Sequence, residues 1–173
     1  NGSPALTVYH SNAGGMTEAA RDVWRRDFQY LRPVKSPYDK SAPGYAWEFA
    51  IEGKALGEKL RSAGFDLLDE PYAISPLDTT ASGRVKELAI EDEKGRRVAL
   101  RGEDLRKALG YSRLRSTRFK VVKLGSAFVF TGYGSGHGVG LSQWGAKGMA
   151  ESGYSYGDIL RHYYPGTRIN RVY

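Results

Sequence analysis

The 173-residue sequence has no cysteine, two methionines and three histidines, and no apolar run approaching the roughly 20 residues that a bilayer-crossing helix needs. The missing cysteine excludes disulfides, thiolate metal sites and thiol nucleophiles. It leaves the redox compartment open, because secreted bacterial proteins also do without it. The short apolar runs exclude a membrane-spanning helix. Acidic residues are the minority, 19 against 26 Lys and Arg, for a net charge of +7. The absence of GxGxxG spacing around the glycines, and of GxxxxGK[ST] anywhere, argues against a nucleotide site. HExxH is absent too, and His10, His137 and His162 are scattered, so any metal site would have to be assembled by folding.

Glycine is plentiful at 22 residues, but it clusters between Gly132 and Gly157 instead of recurring at a fixed period, which excludes collagen-like and solenoid architectures. The apolar share of 40% suits one packed globular domain. Asn1-Gly2 is a favoured hairpin-turn dipeptide with no strand before it, so the sequence reads as entering partway through a larger domain. Ala5–His10 predicts a strand. Thr17 is placed to cap a helix over Glu18–Asp27, and three prolines make residues 30–47 an extended loop of turns.

Trp47–Ile51 predicts a strand, Lys54–Ala63 a helix stopped by Gly64, and Tyr72–Leu77 an edge strand. Hairpins are expected at 83–101 and 119–131, and a short helix over Glu103–Leu109. Ser142 and the Ser155/Asp158 pair mark two further helix starts, and Arg168–Tyr173 reads as a closing strand. Strands and helices mix irregularly, which predicts an α+β fold with mostly antiparallel strands and several short helices.

The strongest local signal is Gly132-Tyr-Gly-Ser-Gly-His-Gly-Val-Gly140, followed by Leu141-Ser142-Gln143-Trp144-Gly145. Glycine at every second position leaves backbone almost without side-chain cover, interrupted by the imidazole of His137. Such backbone can approach a ligand closely, or it can serve a tight crossing of chain segments where only glycine fits. His10 ends the first strand at the edge of a Gly-rich turn, a place where strands present functional side chains, although a lone histidine is often structural. His162, beside Tyr163-Tyr164-Pro165, reads as packing. Between residues 81 and 120 stand twelve Lys and Arg against six Asp and Glu, a stretch that suits a solvated surface or nucleic acid, the surface being the preferred reading.

Three segments in order carry a family resemblance: Tyr9-His-Ser-Asn-Ala-Gly-Gly-Met-Thr-Glu18 with Val23-Trp24, then Tyr30-Leu-Arg-Pro-Val-Lys-Ser-Pro-Tyr38, then Gly136-His-Gly-Val-Gly-Leu-Ser-Gln-Trp-Gly-Ala146. Together they resemble the bacterial stage II sporulation protein D and amidase enhancer (SpoIID/LytB) domain family, and Ser82–Lys86 and Leu105–Gly110 are similar to it as well. The likeness spans residues 1–173 almost throughout.

The resemblance implies an extracytoplasmic protein acting on peptidoglycan glycan strands. Sporulation members are lytic transglycosylases, which cleave between N-acetylmuramic acid and N-acetylglucosamine and leave 1,6-anhydro ends. It equally allows a noncatalytic enhancer that binds glycan or a cell-wall amidase; nucleic-acid binding is a third reading and is not expected. No cofactor is implied. The family's general acid is a glutamate on an Ala-rich helix upstream of the Tyr9-His10 motif, and nothing in this sequence matches that helix. The expectation is therefore a domain lacking its N-terminal portion and inactive alone, with no catalytic residue assigned. Glu18 is read instead as a favourable charge near a helix start.

Some members hold zinc through Cys and His in the loop where this chain has Ala13 and Met16. Alanine offers no ligand atom and a thioether is a poor one, so no metal is expected despite His10. The matched residues His10, Ser11, Thr17, His137, Ser142 and Gln143 are the candidates for the glycan groove, with Gly14, Gly15, Gly136 and Gly138 supplying backbone donors.

Overall fold

The structure, a computed structural model, describes residues 4–66 and 70–170. In chain order its elements are β1 (Tyr9–His10), β2 (Gly15–Met16), α1 (Ala20–Trp24), β3 (Lys35–Ser36), a 3-10 turn (Pro37–Asp39), β4 (Ala46–Glu52) and α2 (Gly53–Ser62). There follow β5 (Pro71–Thr79), β6 (Val85–Asp92), β7 (Arg97–Arg101), α3 (Gly102–Leu109), β8 (Phe119–Leu124), β9 (Ala127–Tyr133), β10 (Leu141–Ser142), α4 (Gln143–Glu151) and α5 (Tyr156–Tyr163). This is the mixed α+β, mostly antiparallel fold that the sequence predicts. The chain groups into two compact units, residues 1–45 with 134–173, and residues 46–133.

The second unit holds two three-stranded antiparallel sheets, ordered β4-β9-β8 and β5-β6-β7. Its hairpins turn where a left-handed residue is needed. Gly95 (φ 78°) follows Asp92, whose Oδ1 accepts from the amides of Lys94 and Arg96, and Gly125 (φ 61°) joins Leu124 to Ala127. Leu56 and Leu60 of α2, Leu105 and Leu109 of α3, Leu88 and Ile90 of β6, and Phe128 and Phe130 of β9 share one core. Each such side chain contributes roughly 1.5–3 kcal/mol relative to exposure. β5 lies at a sheet edge as expected from its prolines, though it runs longer, with register shifts near Pro71 and Pro76.

The first unit is built from short pairings around a core of Val23, Leu31, Val139, Met149, Ile159 and Tyr163. α4 is capped by Ser142, whose Oγ accepts from the Gly145 amide, and α5 by the reciprocal Ser155/Asp158 box, both as predicted. Three expectations need correction. The strand predicted for Ala5–His10 is confined to Tyr9–His10, because its parallel partner β10 is only two residues long before α4 begins. Thr17 does not cap a helix: its hydroxyl accepts from the Val34 amide at 2.8 Å, and α1 starts only at Ala20 without a side-chain cap. Residues 168–170 form no strand, and the rest of that predicted segment, like Asn1-Gly2, lies outside the described residues.

Candidate functional site

The two loops singled out by sequence come together in the first unit. Tyr9 and His10 pair with Leu141 and Ser142, Asn12 bridges to Ser135, and Glu18 to Val139. The Ser11 carbonyl accepts from the Trp144 amide at 3.0 Å, and the Gly138 carbonyl from the Glu18 amide at 2.8 Å. Glycine permits this crossing. A Cβ on Gly136 (φ 106°) would stand 2.8 Å from His10 Cβ, one on Gly134 (φ 83°) 2.9 Å from the Gly14 nitrogen, and one on Gly140 would overlap the Val8 carbonyl. Of the two sequence readings of the glycine run, the tight crossing accounts for these three positions.

The crossing brings the imidazoles of His10 and His137 to a centroid distance of 5.6 Å. Both are oriented by the backbone of Val139. Its carbonyl lies 3.1 Å from His10 Nδ1, which must carry a proton to bond to it, and its amide donates to His137 Nδ1 at 3.1 Å. In their neutral forms the rings are therefore opposite tautomers: His10 with a basic Nε2, His137 with an Nε2–H donor. His10 is buried and His137 half-buried. Trp24, at the end of α1, places its exposed indole 5.0 Å from the His137 ring. α1 stops there because Arg25 turns left-handed (φ 57°) and returns its amide to the Arg21 carbonyl.

The remaining candidates divide by exposure. Ser11, Gly15 and Gly136 are half-buried and Gln143 is exposed, so these, with His137, can meet a ligand. Thr17, Gly14, Gly138 and Ser142 are buried and hold the loops. Glu18 is buried too, its Oε1 accepting from the Ala19 amide at 2.8 Å beside the start of α1.

Sequence reasoning missed Asp39. Its fully buried carboxylate accepts through Oδ2 from the Ala13 amide (2.7 Å), Ser142 Oγ (3.0 Å) and Ser36 Oγ (3.2 Å). Ser36 in turn meets the Tyr163 hydroxyl at 2.8 Å, and since its own proton goes to Asp39, Tyr163 is the donor. Burial, with the charge of Asp39 adding to it, pushes the Tyr163 phenol up to about 12. The signal was faint: Ser36-Pro-Tyr-Asp39 has S-x-x-D spacing just past the second family motif, although Ser36 makes no helix cap. His162, read as packing, stacks edge-on against Tyr163 at 4.7 Å, with Nε2 2.8 Å from the Lys35 carbonyl.

The loop lacks the family's zinc ligands: Ala13 and Met16 offer no hard donor beside His10, and the described residues contain no cluster of three or more His, Asp or Glu placed to hold a metal. Part of the basic run has intramolecular roles. Arg96 pairs with Asp66, buried Arg106 bonds to Glu103 and the Leu114 carbonyl, and Arg113 lies over Phe49. No helix among the described residues is long and apolar enough to cross a membrane.

A family model described as a domain of unknown function (DUF8618) matches residues 26–140. Stage II sporulation protein D of Bacillus amyloliquefaciens is 36% identical over 171 residues, 98% of this chain and 46% of that protein. Its counterpart in Bacillus subtilis (strain 168) is 34% identical over 172 residues, 99% of this chain and 47% of the relative. The amidase enhancer of Bacillus subtilis (strain 168) is 29% identical over 212 residues, 98% of this chain and 30% of that protein. The chain thus spans about half the length, or less, of the curated relatives it matches.

Proposed function

The chain belongs to the DUF8618 domain family and to the stage II sporulation protein D and amidase enhancer (SpoIID/LytB) family, and from that membership we propose that it binds peptidoglycan glycan strands in the cell envelope. The observation that carries this reading is the half-buried His137 ring, fixed through Nδ1 by the Val139 amide so that its Nε2–H is the donor, next to the exposed Trp24 indole. A half-buried donor beside an exposed indole suits a sugar hydroxyl and the apolar face of a pyranose, while buried His10 holds the crossing in place.

The reaction served is glycan cleavage of the lytic transglycosylase type. A carboxylic acid protonates the glycosidic oxygen, then takes the proton of the muramic 6-hydroxyl as that oxygen closes on the anomeric carbon. No segment of this sequence resembles the family's glutamate-bearing helix, so the reading gives residues 1–173 the binding share of that chemistry. The 29% identity to an amidase enhancer favours a second reading, a noncatalytic domain that holds glycan while contacting a cell-wall amidase.

Peptide-stripped glycan strands distinguish the two. Incubation with this chain, and with a protein spanning the full length of the relatives, is followed by mass spectrometry for 1,6-anhydro ends. Products from the longer protein alone support the transglycosylase reading. Products from neither, with amidase activity raised on addition of the chain, support the enhancer. If the chain fails to bind the strands at all, both are refuted.

A further inference from the structure

Residues 46–133 contain a cleft of about 780 Å³ that the glycan site does not use. It lies on the β4-β9-β8 sheet, and the register defines its surface. Glu48, Thr131 and Lys120 stand side by side across the three strands, and Tyr133 lies two residues along β9 from Thr131. Side chains two apart on a strand share a face, so the face carries Glu48, Lys120, Thr131 and Tyr133. Arg118 joins them. Its carbonyl accepts from the Tyr133 amide at 3.0 Å, and its guanidinium carbon lies 5.9 Å from the centre of the Tyr133 ring. Tyr133 is half exposed, and Glu48, Lys120 and Thr131 are open to solvent. On the opposite side the Trp47 indole lies across Gly132, where any Cβ would overlap it, so the floor is a closely packed aromatic layer.

These groups have a definite chemistry. An exposed aromatic ring takes the apolar face of a pyranose. A guanidinium and an ammonium at neighbouring positions recognise carboxylate or phosphate. A carboxylate and a hydroxyl on the same face pair with sugar hydroxyls. We propose that this cleft is a binding site for an anionic saccharide, with Tyr133 under the ring, Arg118 and Lys120 on the acidic group, and Glu48 and Thr131 on hydroxyls. The acidic group has two sources in a cell wall: the lactyl carboxylate of muramic acid, or the phosphodiester of a glycosyl-phosphate polymer. The site stands on the cleft alone and does not require the histidine site to bind glycan.

The test is calorimetric titration of the chain with peptide-stripped glycan strands, poly(N-acetylglucosaminyl phosphate), neutral N-acetylglucosamine oligomers and duplex DNA, each at two salt concentrations. Lys120→Glu is expected to weaken binding to one of the two anionic polymers by about tenfold or more and to lower its salt dependence. The polymer affected identifies the source. Tyr133→Ala weakens the same ligand, and binding of the neutral oligomers changes less than about twofold with Lys120→Glu. Lys120→Gln serves the same purpose should the charge reversal disturb folding. His137→Ala is run in parallel: loss of affinity with Lys120→Glu but not with His137→Ala would leave the cleft standing and remove the histidine site. Unchanged affinity for both anionic polymers in the Lys120 variants, or DNA bound as tightly as either saccharide, overturns the proposal.

Discussion

Ser142 donates its hydroxyl to Asp39 Oδ2 at 3.0 Å across 103 residues of chain, while its oxygen accepts the Gly145 amide as the cap of α4. The same carboxylate oxygen takes the Ala13 amide and the Ser36 hydroxyl, so one buried acid ties together the first loop, β3 and the helix that follows the second histidine. Asp39→Ala would leave three buried donors without their acceptor. A loss of about 3–5 kcal/mol is expected in urea unfolding, with Asp39→Asn milder because it keeps one acceptor oxygen. Equal, small losses for both variants would show that the carboxylate does not organise the loops.

Tyr163 titrates late. Its phenol is pushed up to about 12, chiefly by burial, whereas an unfolded chain releases that proton near the ordinary value of about 10. The neutral form is the one that the fold stabilises. Its contribution is complete below the unfolded pKa and is lost as pH rises through the folded one, so stability should fall between about pH 10 and 12. Tyrosinate absorbance followed against pH should show a last step near the top of that range, and Tyr163→Phe should remove it. Persistence of that step in the variant would assign it to another tyrosine.

Asp158 gives the opposite sign. Its carboxyl is held below the usual range first by the Ser155 hydroxyl and then by the Ser155 amide, with Arg161 contributing its charge. The capping contribution is present above the unfolded pKa and disappears as pH falls through the depressed folded value. The melting temperature of the native chain should therefore exceed that of Asp158→Asn at neutral pH, and the two should converge in strong acid. Because the group is exposed, the difference at neutral pH should be small and should shrink with salt. A gap that persists unchanged below the folded value would mean that something other than the carboxylate's charge is responsible.

Much of the second unit was legible in the sequence because its signals are local. Gly64, Gly95, Gly110 and Gly125 adopt positive φ at the expected ends and turns, and Leu56/Leu60 and Leu105/Leu109 recur at helical spacing on buried faces. The first unit was harder to read. Its strands are two residues long, too short to show alternation, and β1 finds its partner more than a hundred residues away, as with His10 and Ser142. Thr17 illustrates the consequence: a hydroxyl near a helix start is a good cap by propensity, but here the Val34 amide competes for it and prevails. The meeting of the His10 and His137 loops could be anticipated from their shared glycine-rich character. Asp39 could not be found from composition, since an acid between Pro37 and Lys40 resembles surface until the fold encloses it.

Metal content offers an inexpensive check on the loop chemistry. Protein purified without added metal should contain well under one zinc per chain by elemental analysis, and its melting temperature should not respond to chelator, because Ala13 and Met16 supply no ligand beside His10. Stoichiometric zinc with a chelator-sensitive transition would make His10 and His137 ligand candidates, His10 through Nε2 with its Val139 bond kept and His137 only after its bond to the Val139 amide is exchanged.

The two halves of the His137-Gly138 pair should fail in different ways. His137 is half-buried, and its Nδ1 bond is to the nearby Val139 amide, so His137→Ala removes a ring from the groove while leaving the loop crossing in place. Glycan affinity should drop about tenfold with little change in the thermal transition. Gly138 is buried, sits at φ 83° and presents its carbonyl to the Glu18 amide, so Gly138→Val places a β-branched residue where its backbone is strongly disfavoured. A stability loss on the order of 1–3 kcal/mol is expected from that strain. His10→Ala lies between the two, since its ring is buried and bonds to the Val139 carbonyl: both melting temperature and affinity should fall. If His137→Ala binds glycan normally but melts far lower, the second histidine belongs to the packing of the crossing, and the groove must be sought elsewhere in the chain.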